Sequence, residues 1–211
     1  LKDAGGFQAA YQQLRSRLDF DGQFAASITE RAVVLGYYFS TEEKSVKANA
    51  IPAPVLAKGA FAGRNVAFVP YTGYTGNLPV LQKNAAGAGH FNPLVDDDGV
   101  SRRVPVILEF EGAYYEALSL AMFRNLVAQQ TGTLPAVEAG FPGGSGSPLE
   151  WFRVAEAVIP VDDRATVLIP YRGGQFSFPY VSLADILNDR IKPGQLRGKV
   201  AIVGTTAPGL K

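Results

Sequence analysis

Apolar residues recur along this chain in two rhythms, and each change of rhythm predicts a change of element. Between Phe7 and Leu18 the spacing is helical, with Phe7, Ala10, Tyr11, Leu14 and Leu18 near one face. Asp19-Phe20-Asp21-Gly22 interrupts it. A second helix is expected over Gln23 to Glu30, capped by Asp21, with Phe24, Ala25 and Ile28 turned inward. Ala32 to Phe39 is β-branched and aromatic, and its unbroken apolar run predicts a strand buried on both faces. Glu42-Glu43-Lys44 reads as a solvated face, and Pro52 and Pro54 break any long helix. A short strand over Asn65 to Pro70 is followed by a Gly/Tyr/Thr loop over Tyr71 to Asn77. The next short helix begins near Leu78-Pro79, since proline is tolerated in a first turn, and Gly87-Ala88-Gly89 ends it.

The clearest unit comes next. Gly89 to Val95 and Val100 to Phe110 read as two strands joined at Asp96-Asp97-Asp98-Gly99, because Asp-Gly between β-prone runs is a strong hairpin signal. Val104, Val106, Leu108 and Phe110 alternate with Pro105, Ile107 and Glu109, which predicts one core-facing side. Glu111-Gly112 turns into a helix over Tyr114 to Gln130. Thr131 to Pro148 is rich in Gly, Pro and Ser and is expected to be a long surface loop within a single domain spanning 1–211. Trp151 to Ile159 and Thr166 to Tyr171 suggest a second hairpin around Val161-Asp162-Asp163. Phe178 to Val181 suggests a short strand, and Ser182 the cap of a helix over Leu183 to Arg190. Pro193-Gly194 closes that helix, and Val200 to Val203 suggests a buried central strand. Helices alternate with strands, yet two strand pairs are hairpins. The expected fold class is therefore α/β, with a mixed, partly antiparallel sheet, β-hairpins and flanking helices.

Composition changes this picture only by exclusion. The 211 residues are 47% hydrophobic and 18% charged, with formal net charge +1, so the phosphate-neutralising cation clusters of a nucleic-acid binder are missing. No cysteine is present, which removes thiol nucleophiles, thiolate metal sites and disulfides together. No run of about 20 apolar residues could span a bilayer. Leu1-Lys2-Asp3-Ala4-Gly5-Gly6 does not resemble a secretion signal, so any export or anchoring signal is expected outside these residues.

Candidate chemistry is sparse. His90 is the sole histidine, so a Ser-His-Asp triad or a multi-histidine metal site would rest on it alone. A hydrogen-bonding structural role is the simpler expectation, with ligand contact the alternative. Gly143, Ser145 and Ser147 do not make a nucleophile elbow. Asp96-Asp97-Asp98-Gly99 has carboxylates for a hard cation, yet Ile107 stands where a calcium loop ends in Glu. A turn whose Asp side chains cap local N–H groups is the favoured reading. Gly204 to Gly209 has the glycine spacing of a phosphate loop, but Leu210 replaces its lysine, Lys211 its Ser or Thr, and Pro208 removes an N–H. Asp162-Asp163 reads as a turn. Arg172, in Tyr171-Arg172-Gly173-Gly174 at a predicted strand end, could clamp an anion in a crevice. Neither a metal nor a cofactor is called for.

An ordered set of segments resembles a known family. It comprises Asp21, Phe24, Ala25 and Ile28 followed by Val33-Val34-Leu35-Gly36, and Leu78-Pro79 leading to Ala85-Ala86-Gly87-Ala88-Gly89-His90-Phe91-Asn92. Asp96, Asp98-Gly99-Val100-Ser101-Arg102-Arg103-Val104-Pro105 and Ser119-Leu120-Ala121 come next. Ile159-Pro160-Val161-Asp162, Ile169-Pro170-Tyr171-Arg172-Gly173, Ser182 with Asp185-Ile186-Leu187, and Leu196 to Leu210 complete it. Together these resemble the second type of CHASE domain, a sensory extracellular domain associated with cyclases and histidine kinases. The resemblance implies an extracytoplasmic input domain of a bacterial membrane-anchored signalling protein. Transmembrane helices would flank it, and a cytoplasmic adenylate or guanylate cyclase, or a histidine or Ser/Thr kinase, would follow. It also implies no catalytic residue in the domain. The family usually opens with a further strand–helix–strand unit not seen here, which implies a shortened chain.

Asn92, Asp98, Arg102 and Tyr171 match the family's pattern. With His90 and Arg172 they are the candidate contacts for an unidentified small-molecule or protein stimulus. Homodimerisation is left open. A free-standing periplasmic small-molecule-binding protein or hydrolase, or a structural dimerisation module, are the competing readings.

Overall fold

The computed structural model describes residues 4–144, 146–174 and 176–205. The chain divides between Ile169 and Pro170 into two compact units, each described by itself. Ser145 and the Thr206–Lys211 part of the phosphate-loop reading lie outside the described residues.

The first unit begins with two helices. Helix α1 (Ala4–Leu18) carries Arg15 and Arg17 in its last turn, where cations favour the helix dipole. Its stripe of Phe7, Tyr11, Leu14 and Leu18 lies exposed. Helix α2 (Phe20–Ile28) starts earlier than expected, because Asp19 and not Asp21 is its cap. The Asp19 carboxylate accepts the Gly22 N–H at 2.9 Å, satisfying one of the four donors every helix start leaves unpaired. Ala25 and Ile28 face inward as expected, whereas Phe24 is exposed. Thr29 Oγ1 donates to Asn84 Oδ1 at 3.0 Å and ties this helix to α3 (Pro79–Asn84).

The first sheet is mixed. Strand β1 (Val34–Ser40) lies between β3 (Gly73–Thr75), antiparallel, and β4 (Gly87–His90), parallel, while β2 (Lys47–Ala48) adds to β3. Two expectations fail here. Tyr71 to Asn77 contains a strand where a loop was expected, and Gly87-Ala88-Gly89 is a strand, not a helix end. The reason is close packing. A Cβ at Gly89 would stand 2.5 Å from both Cα and N of Leu118, so only a glycine lets β4 pass beneath the helix that starts there. Asn65 to Pro70 makes no strand.

The Asp96–Gly99 hairpin forms, joining β5 (Leu94–Val95) to β6 (Ser101–Pro105), with Gly99 at φ +81°. Its return run then breaks in two. Strand β6 also pairs with β12 (Thr166–Leu168), while β7 (Ile107–Phe110) pairs with β8 (Ala113–Glu116). Glu111 and Gly112, both at positive φ, make the tight turn between them. Residues 113–116 are thus strand, and helix α4 (Leu118–Thr131) starts later than the sequence suggested. It ends at Gly132, left-handed at φ 75°, as helix ends often do.

Strand β9 (Val137–Gly140) lies inside the expected Gly/Pro/Ser loop and pairs with β10 (Trp151–Val154), which pairs with β11 (Ala157–Pro160). The expected pairing of Trp151–Ile159 with Thr166–Tyr171 is therefore replaced by a hairpin within the first segment.

Two apolar cores flank the β7–β8 hairpin. Ile107 and Tyr114 enter one with Phe61, Leu120, Leu149, Phe152 and Val154. Leu108, Phe110 and Tyr115 enter the other with Tyr37, Phe39 and Ala88. A strand pair buried on both faces explains why Val106, Ile107 and Leu108 are all buried, where strict alternation had assigned Ile107 outward.

Among its described residues the second unit holds one helix, α5 (Leu183–Leu187), with Ser182 at its cap position but no side-chain cap bond. The Arg190 Nε donates to Asp185 Oδ1 at 2.8 Å. Phe178–Val181 and Val200–Val203 are not strands, and Val200, Ile202 and Val203 are exposed. The expectation of a buried central strand there is corrected. An apolar run becomes a strand only where a neighbouring ladder takes its backbone groups. Among the described residues no helix is long and apolar enough to cross a membrane.

Candidate functional site

The candidates fall in three places. His90 and Asn92 sit at and just after the end of β4, against β1. Tyr37 and His90 are register partners on the parallel strands, and Phe91 N–H donates to the Tyr37 carbonyl at 3.0 Å. Asn92 then reaches back to β1. Its Oδ1 accepts the Phe39 N–H at 2.9 Å, and its Nδ2 donates to the Phe39 carbonyl at 2.7 Å. The side chain thus substitutes for one rung of a sheet ladder past the point where β4 ends.

Phe39 is the hub of this region. Its ring meets those of Tyr37, Tyr71, Tyr74, Phe110 and Tyr115 at 5.1–6.1 Å between centroids, and that of His90 at 6.5 Å. His90 is 1% exposed, and neither of its ring nitrogens has a hydrogen-bond partner among the described residues. It is therefore not hydrogen-bonded in the way the sequence suggested. Burial pushes its pKa down to about 3, so the imidazole is neutral at every physiological pH. A neutral ring closed off from solvent cannot exchange protons with a substrate arriving from water.

The second place is the tip of the β5–β6 hairpin. The Arg102 guanidinium donates to Asp96 Oδ2 at 2.9 Å and to both oxygens of Asp98, at 2.9 and 2.7 Å. Asp98 Oδ1 also accepts the Val100 N–H at 3.1 Å. These bonds, Arg102 first and Val100 second, hold the Asp98 carboxyl below its ordinary pKa, and the aspartates raise that of Arg102. The turn reading is correct, and the carboxylates have a fixed organic cation as their counter-charge. Among the described residues no group of three or more His, Asp or Glu side chains could hold a metal ion. Asp162 plays a similar local part, accepting from the N–H groups of Arg164 at 3.1 Å and Thr166 at 2.8 Å.

Tyr171 and Arg172 form the third place, exposed at the start of the second unit. The fold thus joins His90 with Asn92 around Phe39, and Asp98 with Arg102. An open groove of about 460 Å³ lies elsewhere, at the α1–α2 junction, lined by Tyr11, Leu14, Arg15, Leu18 and Asp19.

Sequence reasoning missed one constellation. Glu116, the last residue of β8, forms an ion pair with Arg124 of α4, and both side chains are largely buried, at 13% and 11% exposure. Arg124 Nε also donates to the Pro135 carbonyl at 2.8 Å. Burial pushes the Glu116 carboxyl up to about 7, and Arg124 offsets that only in part. The Tyr37 hydroxyl, buried and unpartnered among the described residues, is pushed up by burial, then by Tyr115 and Glu116. A signal existed: Arg124 shares the buried helical face of Leu120 and Ala121, so its charge required a partner.

Compared with known proteins, the chain matches a family model described as a CHASE2 domain over residues 6–211. No curated protein and no solved structure matches it.

Proposed function

The chain belongs to the CHASE2 family of sensory, extracytoplasmic domains of signalling proteins, and from that premise we propose that it is the input domain of a membrane-anchored bacterial receptor. The observation that carries this reading is the extent of the family match, which runs through both units, so we take them as one sensory domain. In this reading flanking transmembrane helices tie the domain to a cytoplasmic adenylate or guanylate cyclase, or a histidine or Ser/Thr kinase. The domain binds or senses and leaves bond-making to that output region.

The architecture supports the division of labour. Of the six candidate residues, Asp98 and Arg102 in the first unit and Tyr171 and Arg172 in the second are exposed. These could meet a small-molecule or protein stimulus. His90, buried, and Asn92, partly buried, bear on Phe39, where they could transmit a change in β1–β4 pairing. A stimulus shifts such a domain only if it binds two conformations unequally.

The test is the natural open reading frame around this chain together with assays of the isolated domain. Apolar helices on both sides and a cyclase or kinase beyond them are expected. A gene without hydrophobic anchors, or substrate turnover by the isolated domain, would overturn the proposal.

A further inference from the structure

Charged side chains are rarely buried, and when they are, their lone pairs are met by donors. Glu116 breaks this rule by half. Its Oε1 accepts from Arg124, while its Oε2 is buried with no hydrogen-bond partner among the described residues. The residue also stands at a joint. It closes β8, where Ile107 lies opposite it on β7, and Ala117, which follows, is both the cap residue of α4 and the bridge partner of His90 on β4. Arg124, one and a half turns into α4, holds Glu116 on one side and the Pro135 carbonyl ahead of β9 on the other. One carboxyl group therefore sits where two strands, a helix and the segment leading to a third strand meet.

We propose that Glu116 is a proton-operated joint between β8 and α4, which tightens when the carboxyl takes up a proton and loosens when it gives one up. Chemistry sets the direction. Neutral Glu116 keeps a carbonyl oxygen to accept from Arg124 and leaves only a hydroxyl without a partner. Ionised Glu116 leaves a charged oxygen without a donor in the same place, a cost that the attraction to Arg124 offsets only in part. None of the described groups around it makes that hydrogen bond. Tyr37 on β1 is held protonated by burial, yet its hydroxyl makes no hydrogen bond with the carboxylate, which raises its pKa further. His90 on β4 is buried with neither ring nitrogen hydrogen-bonded, Tyr115 on β8 enters the same core as Tyr37, and Glu109 on β7 is engaged with the Gly112 N–H at the far end of the hairpin. The upward push of burial on Glu116 agrees with this geometry and places its titration in the neutral range.

The test uses the isolated chain and two readouts. The first is the Glu116 side-chain carboxyl titration in the folded protein by ¹³C NMR, expected to centre near 7 and not near the ordinary 4.5. The second is amide hydrogen exchange in α4 at pH 5.5 and pH 8, corrected for intrinsic rates, in wild type and Glu116→Gln. Protection in wild type relative to Glu116→Gln, a ratio that cancels the groups both proteins share, His90 included, is expected to fall about tenfold on going from pH 5.5 to pH 8. A carboxyl midpoint near 4.5, or equal pH dependence of α4 protection in the two proteins, overturns the proposal. Should Glu116→Gln not fold, the wild-type titration and the change of wild-type α4 protection across that same midpoint decide it together, and a midpoint near 7 with no step in protection there overturns the proposal.

Discussion

Acid should destabilise this domain through one buried ring. His90 is held neutral in the fold, with its pKa at about 3 against 6.5 in an unfolded chain. The unfolded state therefore takes up a proton that the folded state refuses. For a depressed pKa the stabilising contribution is present above 6.5 and lost as pH falls through 6.5 toward 3. At pH 5 the loss relative to pH 8 is about 2 kcal/mol, from 1.36 kcal/mol per unit over the interval from 6.5. Replacing His90 by Leu removes the titration and both unpartnered nitrogens while keeping similar bulk. Urea denaturation at pH 8, 6.5 and 5, followed by circular dichroism and Trp151 fluorescence, measures the contrast. Taking wild type minus His90→Leu at each pH cancels the other titrating groups, Glu116 included. The difference should move by about 2 kcal/mol against the wild type between pH 8 and pH 5. Parallel curves, or an imidazole that titrates near 6.5 in the folded protein, would show that the ring is not desolvated as described.

Three further outcomes follow from the packing. Asn92→Ala removes both bonds to the Phe39 backbone and strands its N–H and carbonyl, which should cost about 2–3 kcal/mol in urea denaturation; an unchanged midpoint refutes the clamp. Gly89→Ala sets a Cβ against the Leu118 backbone and should lower the thermal midpoint by the equivalent of about 1–3 kcal/mol. Equal stability would mean that β4 and the start of α4 are not in contact. Phe152→Ala empties a position that is 0% exposed in the larger core and should cost about 3–5 kcal/mol; a cost under about 1 kcal/mol would place Phe152 outside the core.

What the amino-acid order determined by itself was set within a few residues. The apolar spacing of α1, Pro79 at the start of α3, and the Asp-Gly turn before Val100 each act through local sterics and hydrogen bonds, so each was legible. The α/β class followed from their alternation, and the ordered motifs from Asp21 to Leu210 pointed to the family that the residue 6–211 match then showed. Tertiary structure decided the rest, because a strand is stabilised by a partner that can lie anywhere in the chain. Gly87-Ala88-Gly89 has the composition of a helix end, and only parallel pairing with Val34–Gly36 makes it a strand. Val200–Val203 has the composition of a strand and no ladder to join. Tyr114 and Tyr115 fit a helix stripe until β7 claims their backbone. The Glu116–Arg124 pair shows the same limit for chemistry. Arg124 lies eight positions after Glu116 in sequence, and burial, which pushes the Glu116 carboxyl up to about 7, is a property of the packed fold alone.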